Sequence, residues 1–235
     1  MLDSTRLYTF TQLDESDSIQ IPLEKTSGTS PLTINDYTTV LSHSFNASLH
    51  ALVMGLPPKD TCDKFLTSFF EQENWRFGLP RKLILGMYNR VWEVLHTDPT
   101  ALRKIKIQWL SLLYSIFSLA PECEKEDDRR MYFCQSLSGK RLAEDFLNTS
   151  FPTVQTPFSV TEGTAHSCLA IVLMTNYMCD RGHVSEAWKL IGQAVRTAQT
   201  AGFHRDPGWS RWKDMSEDEQ LLRRTTWLLL CQQDR

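Results

Sequence analysis

Apolar residues recur at three- and four-residue intervals along most of the chain, the spacing that lines one face of an α-helix. The pattern begins late. Residues 1–50 hold few periodic apolar positions and many Ser, Thr and Asp, so ordering that backbone has little burial to offset its entropy, and the segment reads as a flexible N-terminal arm. Residues 51–235 read as one helical domain. Pro57 and Pro58 suit a first helical turn, and Asp60 and Asp63 complement its positive end. Cys62, Phe65, Leu66, Phe69 and Phe70 then form one stripe on a helix running to about Glu73. A second helix is predicted over 81–95, with Ile84, Met87, Tyr88, Val91, Trp92 and Leu95 apolar. A third is predicted over about 100–119, mostly buried in its later half, until Pro121 prevents continuation.

The run Glu122 to Arg130 pairs Glu126 with Arg130 at i, i+4, which suits an exposed helix start or a loop. A helix over 131–148 comes next, carrying Phe133, Cys134, Leu137, Leu142 and Phe146, and then a loop over 149–162 containing Pro152 and Pro157. From His166 to Asp180 the chain is apolar nearly all round, which places that helix in the middle of a bundle, and Gly182 ends it. A further helix puts Val184, Ala187, Trp188, Ile191, Val195 and Ala198 on one face and stops at Gly202. So short a connection makes the two an antiparallel hairpin. Ser216 and Glu219 form a capping box that opens a last helix. The fold class is therefore all-α, an irregular bundle of antiparallel helical hairpins.

Composition agrees. Ten glycines and ten prolines in 235 residues are few for a turn-rich fold, and a chain of this size can bury a substantial core. The longest uncharged run near the middle, Gly163 to Cys179, has 17 residues and includes His166, Thr175 and Asn176, whereas a membrane span wants about 20 mostly apolar positions. No transmembrane helix and no secretory signal is expected, so the protein reads as intracellular. The six cysteines contain no Cys-x-x-Cys pair and read as reduced, buried thiols. A net charge of −3 gives no general attraction for a polyanion, so DNA binding by this chain is not expected. The local excess of basic residues at 81–110 reads as a solvated helix face.

Candidate chemistry is sparse. His166-x-Cys168 and Cys179-x-x-x-His183 could suggest zinc, but His166 and Cys168 lie about 200° apart on a helix and Gly182 interrupts the other pair, so they read as buried thiols and surface imidazoles. His204-Arg205-Asp206 coincides with the tripeptide of protein-kinase catalytic loops, yet position 211 is Arg where that loop needs Asn, and no glycine-rich loop or Asp-Phe-Gly is present. No nucleophile elbow, phosphate loop or His-Glu-x-x-His occurs, so no catalytic or cofactor-binding residue is assigned and the chain is not expected to be an enzyme. Five of the seven tryptophans lie in or beside helical stripes and read mainly as core.

Three segments between 182 and 235 form a pattern. Gly182 is followed by Glu186-Ala187-Trp188; Gly202-Phe203-His204-Arg205-Asp206-Pro207 comes next; Arg223-Arg224-Thr225-Thr226-Trp227 leads to Asp234-Arg235. In order and within about 55 residues, they resemble the regulatory middle region of fungus-specific transcription factors. That family has Gly then Glu-Ala-Trp, Gly-Leu-His-Arg-Asp-Pro, and Arg-Arg-Arg-x-Trp-Trp ending in Leu-Asp-Arg; here Thr225, Leu228 and Gln233 depart from it. The likeness is strongest over 162–235.

The resemblance implies a nuclear, non-catalytic module of a regulator of RNA polymerase II transcription. It would restrain or relay a signal to DNA-binding and activation regions outside this chain, with other parts of the same factor, regulatory proteins or a small-molecule effector as partners, and dimerisation compatible with it. Family members usually carry a binuclear zinc cluster built around two Cys-x-x-Cys pairs; no cysteine here has that spacing, so zinc and DNA reading are expected elsewhere. The family's helical region also continues past an Asp-Arg like Asp234-Arg235, so the chain is expected to stop inside the domain, leaving Leu221, Leu222, Trp227, Leu228, Leu229 and Leu230 uncovered. The residues leave one rival open, a helical scaffold that binds a peptide in a groove. On the bundle reading, Arg205, Asp206, Arg223, Arg224, Asp234 and Arg235 are architectural, with Asp206 paired to Arg223. Gly182 and Gly202 serve backbone geometry, and Trp188 serves the core.

Overall fold

The computed structural model describes residues 34–97, 105–149, 157–205 and 215–235. These residues form α1 (Ile34–Met54), α2 (Lys59–Ser68), α3 (Arg81–Thr97), α4 (Ile107–Leu119), α5 (Glu126–Thr149), α6 (Pro157–Cys179), α7 (Val184–Thr200) and α8 (Glu217–Gln233), with no strand among them. No helix among the described residues is long and apolar enough to cross a membrane.

α4 is the axis of the bundle. Every residue of it except Gln108 is buried, and it packs most extensively against α5 and α6. α6 lies beside it, buried almost without interruption from Ala165 to Thr175, and carries α7 and α8 on its far side. Phe65 of α2, Tyr114 and Phe117 of α4 and Tyr132 of α5 form an aromatic cluster with ring centroids 5.5–6.2 Å apart. The Tyr114 hydroxyl donates to the Leu52 carbonyl at 2.6 Å, tying the end of α1 to the axis.

The α4–α5 contact is polar where a core is usually apolar. Ser111 Oγ donates to the Ser136 carbonyl at 2.8 Å, Ser136 Oγ donates to the Ser111 carbonyl at 2.7 Å, and the Ser115 and Ser136 hydroxyls are 2.7 Å apart. Buried hydroxyls are tolerated because each has a partner. The helices approach this closely because Gly139 has no side chain: a Cβ there would sit 3.2 Å from Ser111 Cβ.

Four boundaries differ from the sequence expectation. Residues 34–50, read as part of a flexible arm, belong to α1, whose Leu49, Leu52 and Val53 are buried; packing against α4 and α5 supplies the burial that the Ser- and Thr-rich sequence did not announce. The rest of that arm, residues 1–33, lies outside the described residues. The third helix begins at Ile107, after an extended Lys106, and positions 100–104 of its expected start are not described. α5 begins at Glu126, where Glu126, Asp127 and Asp128 complement the helix dipole. α6 begins at Pro157, inside the expected loop, because proline suits a first helical turn.

Glycines separate two kinds of helix surface. Gly139→Leu should lower stability by about 3 kcal/mol through overpacking. Gly86→Ala in α3, where a Cβ meets nothing within 4 Å, should raise it by about 0.5–1 kcal/mol. Denaturant unfolding of both variants checks the opposite signs.

Candidate functional site

The expected signature residues among those described fall along α8 and at the two ends of α7. At its start, the Gly182 N–H donates to the Cys179 carbonyl at 3.0 Å and the His183 N–H to the Met178 carbonyl at 2.9 Å, with Gly182 at φ +81°. At its finish, the Gly202 N–H donates to Gln199 and the Phe203 N–H to Ala198, both at 2.9 Å, with Gly202 at φ +75°. The two glycines close Schellman motifs, Gly182 at the C-terminal end of α6 and Gly202 at that of α7, which need a residue free to enter the left-handed region. Between them Ala187, Ile191, Ala194 and Ala198 face the core, and Glu186 stands exposed in the first turn.

Trp188 is not core. It is 68% exposed, as is much of Val184, because the buried stripe of α7 is narrow and runs through alanines one position round from them. Trp75 is exposed as well, and of the described tryptophans Trp109 alone is fully buried.

The loop after α7 meets α8 through Arg223. Its side chain is buried, Nη2 donates to the Gly202 carbonyl at 2.9 Å, and Cζ lies 4.8 Å from the centroid of the Phe203 ring. Burial pushes its pKa down, and the Glu219 carboxylate opposes that shift. His204 is exposed with its ring 6.0 Å from that of half-buried Trp227. The structure thus brings together Gly202, His204, Arg223 and Trp227. Arg205, Arg224, Asp234 and Arg235 are exposed, and Asp206 and Pro207, including the expected Asp206–Arg223 pair, lie outside the described residues. Leu222, Leu229 and Leu230, expected to be uncovered, are buried against α6 and α7; Leu221 and Leu228 remain exposed.

A second clamp was not legible in the sequence. Glu126 pairs with Arg181, not Arg130: Arg181 Nε and Nη2 donate to its two carboxylate oxygens at 2.7 and 2.6 Å. These bonds hold the Glu126 carboxyl below its ordinary range. The guanidinium lies 3.4 Å from the centroid of the Tyr177 ring, which stacks on Phe133 at 4.7 Å. It fixes the start of α5 to the turn between α6 and α7.

The model of the fungal specific transcription factor domain matches residues 87–231, more than half of the chain. The chain belongs to this family. It is 24% identical over 190 residues to the equisetin cluster transcription factor eqxF of Fusarium heterosporum, covering 78% of this chain and 26% of that protein. Similarity to the fusarisetin A cluster transcription factor fsa6 of Fusarium sp. (strain FN080326) is the same over 78% of this chain and 24% of the relative. The chain thus spans about a quarter of the length of these curated relatives. No solved structure matches it.

No group of three His, Cys, Asp or Glu that could hold a metal ion occurs among the described residues. His166 is buried, not at the surface, with its ring 5.7 Å from Trp109, while Cys134 and Cys179 are exposed, not buried. Desolvation pushes the buried Cys62 and Cys168 thiols up to about 12.

Stability and thiol reactivity each give a measurable outcome. Arg223→Met should cost about 2–3 kcal/mol, since it strands the Gly202 carbonyl and removes a charged hydrogen bond, whereas exposed Arg224→Ala should stay within about 0.5 kcal/mol; thermal unfolding distinguishes them. At pH 8 a thiol with a raised pKa near 12 is about one part in 10,000 thiolate, so a thiol-specific disulfide reagent should label Cys134 and Cys179 long before Cys62 and Cys168, as peptide mapping of the native protein would show.

Proposed function

We propose that this chain is a regulatory, non-catalytic module of a nuclear transcription factor controlling RNA polymerase II genes. It acts by restraining DNA-binding and activation regions that lie outside these residues. The observation that carries this is the family match over 87–231, which takes in most of the bundle from α3 to α8. Both relatives are named cluster transcription factors, which supports the same setting. The net charge of −3 supports a module that does not itself grip DNA.

The packing suggests where restraint is exerted. α4, α5 and α6 form a seam locked by hydrogen bonds, whereas α8 contacts α6 and α7 along one side and is tethered through Arg223. A partner or small ligand that binds one placement of α8 better than another shifts the balance by its differential affinity. The enclosure of α4 by α2, α5 and α6 favours this closed bundle over a peptide-binding scaffold with a concave row of exposed side chains.

Placing the chain between an unrelated DNA-binding domain and an activation domain should lower reporter transcription relative to a flexible linker of equal length. The destabilised variant Gly139→Leu should weaken that repression. Equal output from chain and linker, or binding of labelled duplex DNA by the isolated chain at physiological salt, would count against the proposal.

A further inference from the structure

Directly after α2 the backbone leaves α-helical geometry. Phe69–Glu73 form a π-helical turn and Asn74–Arg76 a 3-10 turn. A π-helical turn is rare and frequently occurs at functional sites, because the extra residue re-aims the side chains of the next turn. Here Phe69, Phe70 and Phe77 turn inward while Trp75 is 82% exposed. The segment is braced: Asn74 Oδ1 accepts from the Leu79 N–H at 2.9 Å, and Asn74 Nδ2 donates to the Leu79 carbonyl at 3.1 Å. Trp75 is therefore presented on a fixed support, so a flat ligand meets it without ordering a loop.

Beside Trp75 opens a cleft of about 330 Å³, lined by Trp75, Arg76, Phe77, Asn176, Gln232 and Gln233. The lining combines aromatic faces, three carboxamides and one guanidinium, which is ion-paired with the Glu73 carboxylate beside the cleft. Arg76 Nη1 donates to Glu73 at 3.2 Å and Nη2 to Asn176 Oδ1 at 3.1 Å. Two of its five N–H donors are used, and three remain to meet an anion. The volume lies near the lower end of the range of about 300 to 1,000 Å³ for small-molecule sites, which suits one or two rings. The smaller cleft between α2 and α3 is less suited, because its Asp63 already accepts from Tyr88 at 2.6 Å and from Lys59 at 2.7 Å.

We propose that the cleft beside Trp75 binds a small planar carboxylate, with its ring against the indole and its carboxylate on Arg76. The carboxamides of Gln232 and Gln233 take further polar groups of the ligand. The walls come from the 3-10 turn and Phe77 just after it, from α6 and from the end of α8, so an occupant joins α8 to the core; only this regulatory consequence rests on the ligand-biased restraint proposed above.

The test is calorimetric titration of the full chain with 2-naphthoate, with 2-naphthamide and acetate as comparators. Naphthoate should bind with one-to-one stoichiometry, and the neutral amide and the ringless acid at least about tenfold more weakly. Trp75→Ala should weaken naphthoate binding by about tenfold or more with the unfolding midpoint unchanged, Arg76→Lys should weaken it by a similar factor, and Trp188→Ala should leave binding intact. Equal binding of acid and amide, unchanged binding by Trp75→Ala, or no saturable binding would overturn the site. The reporter separates the two proposals. Repression by the chain without naphthoate binding removes the site and leaves the restraint, whereas naphthoate binding with no repression keeps the site and removes the restraint.

Discussion

The close approach of α4 and α5 governs the rest of the architecture. A helix buried on all sides needs neighbours at every face, and α4 obtains one of them by a seam of small and hydroxylic residues: Ser111 and Ser115 against Ser136 and Gly139. Leucine at these positions would hold the axes farther apart. The reciprocal pair in which each serine hydroxyl donates to the other's carbonyl also sets the register, because sliding by one turn would strand two buried hydroxyls. With α4 and α5 locked, the aromatic cluster around Tyr114 closes, and α1, α2 and α6 dock against a surface already made.

Apolar stripes made most of this legible. Cys62, Phe65, Leu66, Phe69 and Phe70 are all buried, and Ile84, Met87, Tyr88 and Val91 are as well, because large apolar residues at helical spacing have few other places to go. Burial carried by small or polar residues leaves no such stripe. The inner face of α5 is Tyr132, Ser136, Gly139, Lys140 and Ala143, while Phe133, Leu137 and Leu142 are only half-buried and Cys134 is exposed. On α7 alanines take the core and Trp188 faces out. Size and apolarity report a capacity for burial, and only the neighbouring helix decides which face is used. α1 was hidden for a related reason, since among its described side chains, at positions 44–54, only Leu49, Leu52 and Val53 are buried.

The signature segments were legible as positions more than as contacts. Arg223 joins the loop to α8, and the partners the structure provides are a main-chain oxygen and an aromatic ring. The Arg181–Glu126 clamp joins residues 55 positions apart, and nothing in the local pattern of either announces the other. Both contacts place a guanidinium over an aromatic ring while its N–H groups reach an oxygen acceptor, an arrangement that the planar fork of arginine permits and a lysine does not. They secure opposite ends of the α6–α7 hairpin, one to α5 and the other to α8.

The bond from Arg223 to the Gly202 carbonyl has an evolutionary corollary. A carbonyl is supplied by every amino acid, so the tether asks nothing of the neighbouring side chains beyond a backbone that turns through the left-handed region and an aromatic ring to lie beneath the guanidinium. The outward-facing surface of that corner can therefore drift among homologues, acquiring or shedding contacts for different associates, while the joint beneath it keeps its shape.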